Sequence, residues 1–181
     1  MTSKSGGSLR PQFGTTGHGK RPRLVVPEKY PPGFVLLIDS RETLPLFKKG
    51  AYKNVPKARV ALPIGDYSLK GFERTIAVER KSVNDLTGWI FTPRCEHQIR
   101  NMLQLERKYL LIEARDERTL AQKVIDLREA GYTQVHYNSV LHGLYKINAR
   151  FGIEIVYKTR SDARRWILRL FKHYYLWKRK G

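Results

Sequence analysis

"TIAVERKSVNDL", Thr75 to Leu86, decides how the chain is read. It opens with Ile76, Ala77 and Val78, the apolar run of a buried strand, and then sets Glu79, Arg80 and Lys81 in a row. Side chains alternate along a strand, so Glu79 and Lys81 share one face and Arg80 points to the other. A carboxylate and an ammonium so placed at a strand end can hold a metal ion and orient the water beside it. Ser82 and Asp85 then read as a capping box, so a helix follows the strand at once. Asp85 thus carries two readings, a helix-capping carboxylate or a member of the charged cluster.

Upstream, "RVALPIGDYSLKG" reads as a strand with a turn at its end, and "RTIAVERK" as the returning strand. A hairpin turning at Phe72 and Glu73 sets Asp66 opposite Glu79. Two facing carboxylates repel unless a cation lies between them or one is protonated. A hard oxygen site of this kind suits magnesium. "FVLLI" is a short buried strand ending at Asp39, which could supply a third oxygen.

The remaining elements alternate. Thr92 and Pro93 open a helix whose apolar positions are Ile99, Met102, Leu103 and Leu105. "YLLIEA" is a buried strand, and helices follow near 117–130 and 139–150, stopped by Gly131 and Gly152. "IEIVYK" is a further strand. Ser161 is expected to cap a last helix carrying Trp166, Ile167, Leu170 and Tyr174, which ends in "WKRKG". The alternation predicts an α/β layered domain.

Composition narrows the function. Thirty-five Lys and Arg against 16 Asp and Glu give a net charge of +19, which favours a polyanionic partner. Residues 1–33 are rich in Gly, Ser, Thr and basic residues and are expected to be a disordered tail before a folded domain at 34–181. The tail carries Lys4, Arg10, Lys20, Arg21, Arg23 and Lys29 against Glu28, a net +5. Within it, Gly14 to Lys20 has the spacing of a P-loop, but Arg21 stands where the Ser or Thr belongs and no strand precedes it. The single cysteine, Cys95, excludes an intrachain disulfide and a multi-cysteine zinc site. There is no H-E-x-x-H, no G-x-S-x-G and no apolar run near the roughly 20 residues of a membrane span. An intracellular protein is expected, cytoplasmic or nuclear, with neither a membrane nor a small-molecule cofactor as partner.

The chain resembles the XPF-type structure-specific nuclease domain. The resemblance rests on "LLIDSRE" (Leu36–Glu42), "IGDYSL" (Ile64–Leu69), "VERKSVNDL" (Val78–Leu86) and "RKYLLIEA" (Arg107–Ala114), and it covers about Val35 to Tyr175. It implies a restriction-endonuclease-like α/β fold, a mixed central sheet flanked by helices. It implies a DNA endonuclease using Mg²⁺, with Mn²⁺ able to substitute, on branched, flapped or junction DNA. By matching position, Asp39, Asp66 and Glu79 would gather the metal, Lys81 would position the water, and Arg41, Arg80 and Asp85 would complete the site. Arg94 and Gln98, one turn apart on a helix, match cleft-facing positions, though solvent-exposed polar groups read the same way. Pairing with a second copy or with another family member is also implied.

Relatives carry a tandem helix-hairpin-helix module after this domain, whereas the sequence ends at Gly181. Lys20, Arg21 and Arg23 in the tail, and Lys178, Arg179 and Lys180 at the end, are therefore expected to make phosphate contacts in its place. The rival reading from another class is a non-catalytic DNA-binding or scaffold subunit, a kind of relative that tends to lose the E-R-K or G-D residues retained here.

Overall fold

The computed structural model describes residues 29–47 and 52–180. Six strands form one sheet in the order β2-β1-β3-β4-β5-β6, and five helices flank it. The strands are β1 (Leu36–Asp39), β2 (Lys57–Val60), β3 (Tyr67–Leu69), β4 (Ile76–Lys81), β5 (Arg107–Ile112) and β6 (Glu154–Tyr157). The helices are α1 (Val83–Trp89), α2 (Pro93–Met102), α3 (Glu117–Glu129), α4 (Tyr137–Phe151) and α5 (Arg160–Lys178). β1 runs parallel to β2, and β4, β5 and β6 are parallel to one another. β3 lies antiparallel to both β1 and β4, so those two point the same way and end at the same edge. The expected mixed α/β sheet is the one observed.

Strand alternation sorts the core into two layers. Ile76 and Val78 of β4, with Leu36 and Ile38 of β1 and Tyr109 and Leu111 of β5, pack against Ile167, Leu168 and Phe171 of α5. Ala77 of β4, with Leu110 and Ile112 of β5, packs against residues of α1, α2, α3 and α4 such as Leu86, Ile99, Leu120 and Leu144. Burying each of these large side chains contributes about 1.5–3 kcal/mol. The same alternation carries into the charged residues that follow.

Several local expectations hold in detail. The β3–β4 ladder sets Tyr67 opposite Val78, the register that faces Asp66 toward Glu79. Ser82 caps α1, accepting from the Asp85 N–H at 3.1 Å, and Thr92 caps α2 with Pro93 in its first turn. Gly152 ends α4 in the left-handed conformation.

Four expectations need correction. The stretch read as one strand from Arg59 splits into β2 and β3, because these lie on opposite sides of β1 and residues 61–66 must cross between them. The last helix is capped by Thr159, not Ser161, and the Thr159 side chain accepts from the Asp162 N–H. Leu103 lies just past α2 and stays exposed, while Met102 and Leu105 are buried. The folded unit also begins before Phe34: Tyr30 stacks on the Phe34 ring, and the Pro32 carbonyl accepts from the Tyr175 hydroxyl at 2.8 Å. Residues 1–28, with the P-loop-like run and most of the expected tail, lie outside the described residues.

Gly65 makes the crossing possible. Its φ is +76°, and a Cβ there would stand 3.0 Å from the Ala77 Cβ and 3.1 Å from the Val78 carbonyl oxygen. Only glycine brings this backbone so close to β4. Gly65→Ala combines a left-handed side chain with overpacking, so it should cost about 1–3 kcal/mol. A thermal melt should show Tm lower by about 2–4 °C for each kcal/mol in a domain of this size; an unchanged Tm would show that the close approach is not tight.

Candidate active site

The common edge of β1 and β4 opens into a cavity of about 880 Å³. Asp39, Arg41, Asp66, Glu79, Lys81, Asp85, Arg94 and Gln98 all line it. The cavity thus gathers eight of the residues singled out in the sequence, from four separate segments.

Each carboxylate is held differently. Asp39 ends β1, is 5% exposed, and accepts from Arg41 Nε at 2.9 Å through Oδ2. Arg41 is itself mostly exposed and donates to the Leu62 carbonyl at 2.7 Å, which steers its guanidinium across the cavity mouth. Asp66 lies one residue before Tyr67, where β3 begins. Its N–H donates to the Val78 carbonyl, its own carbonyl accepts from the Asp39 N–H, and its Oδ2 accepts from the Arg80 N–H at 2.7 Å. Asp66 therefore joins the ends of β1 and β4 through one residue. Glu79, 4% exposed, accepts on Oε1 from Lys81 Nζ at 2.6 Å and from the Gln98 amide at 3.0 Å.

Burial pushes the Asp66 carboxyl up to about 8, and the negative charge of Glu79 is the second cause. The backbone hydrogen bond from Arg80 opposes this without overcoming it. Two acids in one enclosed space cannot both stay ionised without a cation. The donor chemistry fits a hard divalent ion: Asp39, Asp66 and Glu79 line one cavity, and neither Asp66 Oδ1 nor Glu79 Oε2 accepts a hydrogen bond from the described residues. No three His, Cys, Asp or Glu side chains among the described residues converge as a finished metal cage. Magnesium needs no such cage, since it retains several waters and takes one or two carboxylates.

Lys81, on the Glu79 face, has its ammonium 4.7 Å from the centroid of the Trp89 ring. Gln98 reaches in from α2 as expected, while Arg94 stands exposed at the rim. Asp85 is exposed at the first turn of α1, where its Oδ2 accepts from the Ser82 hydroxyl at 2.6 Å. It is thus a cap and a cavity-lining carboxylate together.

Arg80 is the exception. It touches the cavity, but its guanidinium points to the α5 face. There Nη2 donates to Glu42 and Nη1 to Glu113, both at 2.9 Å, and the side chain is 7% exposed. Arg160 of α5 also donates to Glu113, at 2.7 Å, and to the Leu44 carbonyl at 2.6 Å. Removing one member of such a buried network strands a charge and costs roughly 3–5 kcal/mol. Arg80 thus borders the cavity while Glu42 and Glu113 hold its guanidinium, a placement that suits an anchor for the site.

Lys178 and Arg179 lie elsewhere. α5 starts at the cavity edge and runs back along its 19 residues, about 28 Å, to the start of β5. There Lys178 donates to Glu106 and Arg179 to the Pro32 carbonyl. Lys180 follows at the same end. This basic end lies at the opposite end of the strands from the cavity. Lys20, Arg21 and Arg23 lie outside the described residues. Sequence reasoning missed Glu42, Glu113 and Trp89; a strand that exposes an Arg to an apolar layer is the signal that called for buried acids there.

A family model described as "ERCC4 domain" matches residues 38–170. Among solved structures, the XPF protein from Aeropyrum pernix is similar with a TM-score of 0.57 and 17% identity, over 78% of this chain and 65% of that one. The XPF protein from Aeropyrum pernix in complex with DNA is similar with a TM-score of 0.54 and 16% identity, over 79% of this chain and 65% of that one. At such identity the likeness shows the fold, and the chain spans about two thirds of those chains' length. No curated protein gives a significant match.

The raised Asp66 sets a pH dependence. Its folded state keeps a proton that the unfolded chain releases above about pH 3.9. The resulting contribution is therefore full below that pH and lost as pH rises through the folded value, about 8. Metal-free protein should lose stability across this window in urea unfolding, and Asp66→Asn should flatten the loss. A variant with the same pH slope as wild type would place the buried proton on another group.

Proposed function

We propose that this chain, which belongs to the ERCC4 domain family of structure-specific nucleases, is a metal-dependent endonuclease that hydrolyses phosphodiester bonds in branched or flapped DNA. The observation that carries the reading is the cavity itself. Asp39, Asp66, Glu79 and Lys81 converge there from two strand ends and the crossing segment, at the cost of burying like charges. A fold pays for such an arrangement where function requires it.

Asp39, Asp66 and Glu79 would hold Mg²⁺, or Mn²⁺ in its place. When bound, the ion would supply charge to offset the phosphate and lower the pKa of a water. The protein's own residues do the rest. Lys81 keeps its ammonium on the Glu79 side of the strand, held within 2.6 Å of that carboxylate, and directs remaining N–H donors at a water or phosphate oxygen. Arg41 and Arg94, at the mouth and rim, offer guanidinium groups to the DNA backbone. The net charge of +19 draws DNA to the surface from solution. Similarity to an XPF protein solved with DNA supports the same class of partner.

Flap, junction and duplex DNA, incubated with and without Mg²⁺, test the reading. Wild-type protein should cut only with metal and faster on branched DNA. Glu79→Gln, Asp66→Asn and Lys81→Ala should each lower single-turnover rates by about 10²-fold or more while leaving DNA affinity within twofold. Tight binding with no cutting on any substrate would instead assign the chain to the non-catalytic DNA-binding subunits.

A further inference from the structure

Trp89 bears on both Lys81 and Gln98. It ends α1, is 4% exposed, and presents both its ring and its N–H to the charged cluster. Its Nε1–H donates to Gln98 Oε1 at 2.5 Å, and its ring lies beneath the Lys81 ammonium. Gln98 in turn gives its amide nitrogen to Glu79 Oε1, and its carbonyl oxygen also lies 3.4 Å from Lys81 Nζ.

The chemistry of these groups permits one orientation. An indole nitrogen and an ammonium are donors only, and an ionised carboxylate accepts only. The Gln98 oxygen must therefore face Trp89 and Lys81, and its amino end must face Glu79. With that amide turned, Glu79 Oε1 carries two donors, Lys81 and Gln98, while Oε2 carries none among the described residues. The ring adds a second restraint, because a cation over the face of Trp is attracted to it. Lysine has a flexible stem of four carbons and would otherwise lack a fixed place once Glu79 shares its charge with another cation.

We infer that Trp89 is a positioning residue, which locks Gln98 and Lys81 so that one oxygen of Glu79 is spent on them and the other is left for a ligand. The kinetic consequence rests on the endonuclease reading; the structural one does not. The chain has three tryptophans, so its indole N–H signals are few enough to assign by single substitution.

The experiment has two arms. In the first, metal-free and DNA-free protein is followed by indole ¹H–¹⁵N NMR, with Trp89→Phe marking the Trp89 signal. Gln98→Ala should move that signal and speed its exchange with solvent, while the Trp166 and Trp177 signals stay in place. A Trp89 signal indifferent to Gln98→Ala overturns the inference. In the second arm, Trp89→Phe keeps a ring and loses the N–H. It should lower the single-turnover rate about tenfold with DNA affinity within twofold and Tm within a few degrees of wild type. Combined with Gln98→Ala, it should add less than a further twofold loss, since both act through one amide. Fully additive losses, or a loss confined to DNA affinity, overturn the inference. A wild-type protein that cuts nothing overturns the endonuclease reading instead, and the NMR arm alone then decides the role of Trp89.

Discussion

The constraint on which the site depends is the enclosure of Asp66 beside Glu79. Water would separate two such carboxylates at little cost, but here the β3–β4 register and the Gly65 approach bring them together away from bulk solvent. The Asp66 carboxyl rises as a result. What surrounds the pair follows from managing that charge. Lys81 and Gln98 spend one oxygen of Glu79, the Arg80 backbone spends one of Asp66, and Arg41 covers Asp39. The remaining oxygens face a cavity open to a cation or to substrate.

The alternation of β4 separates site from scaffold. Glu79 and Lys81 fall on the face shared with α1 and α2, while Arg80 falls on the face shared with α5. Arg80 binds Glu42, three residues past Asp39, and Glu113, just past β5. It therefore ties together the segments that follow β1, β4 and β5 from behind the cavity. A charged head group inside an apolar layer is costly, and two carboxylates at 2.9 Å offset that cost. Three charges of mixed sign in a row thus make sense: the outer two face the cavity, and the middle one holds its frame.

Much of this was legible in the sequence, because the relevant relations are local or periodic. The alternation of Glu79, Arg80 and Lys81, the Ser82 and Thr92 caps, and the register facing Asp66 to Glu79 all come from short-range rules. The failures share a different origin. Thr159 and Ser161 are both sound caps, and α5 starts earlier because Arg160 reaches Glu113 and the Leu44 carbonyl, contacts more than 40 residues away in sequence. The split into β2 and β3 depends on where each strand sits about β1. Trp89 meets Gln98 only through the angle between α1 and α2, which no periodicity encodes. The separation of the basic end of α5 from the cavity depends on the direction of that helix across the sheet, a long-range relation.

The chain belongs to the ERCC4 domain family, has an XPF-like fold, and gathers buried charge at the strand edge. The account stands on that charge needing a cation, and the most direct test is the thermal melt of wild type and Asp66→Asn at pH 8, with EDTA or with excess Mn²⁺. A ligand at about 100 times its Kd stabilises by about 2.7 kcal/mol, so the wild-type Tm should rise by several degrees with Mn²⁺. Asp66→Asn, having lost both the repulsion and a ligand, should respond little. A wild type indifferent to Mn²⁺, or a variant that gains as much as wild type, would contradict the account.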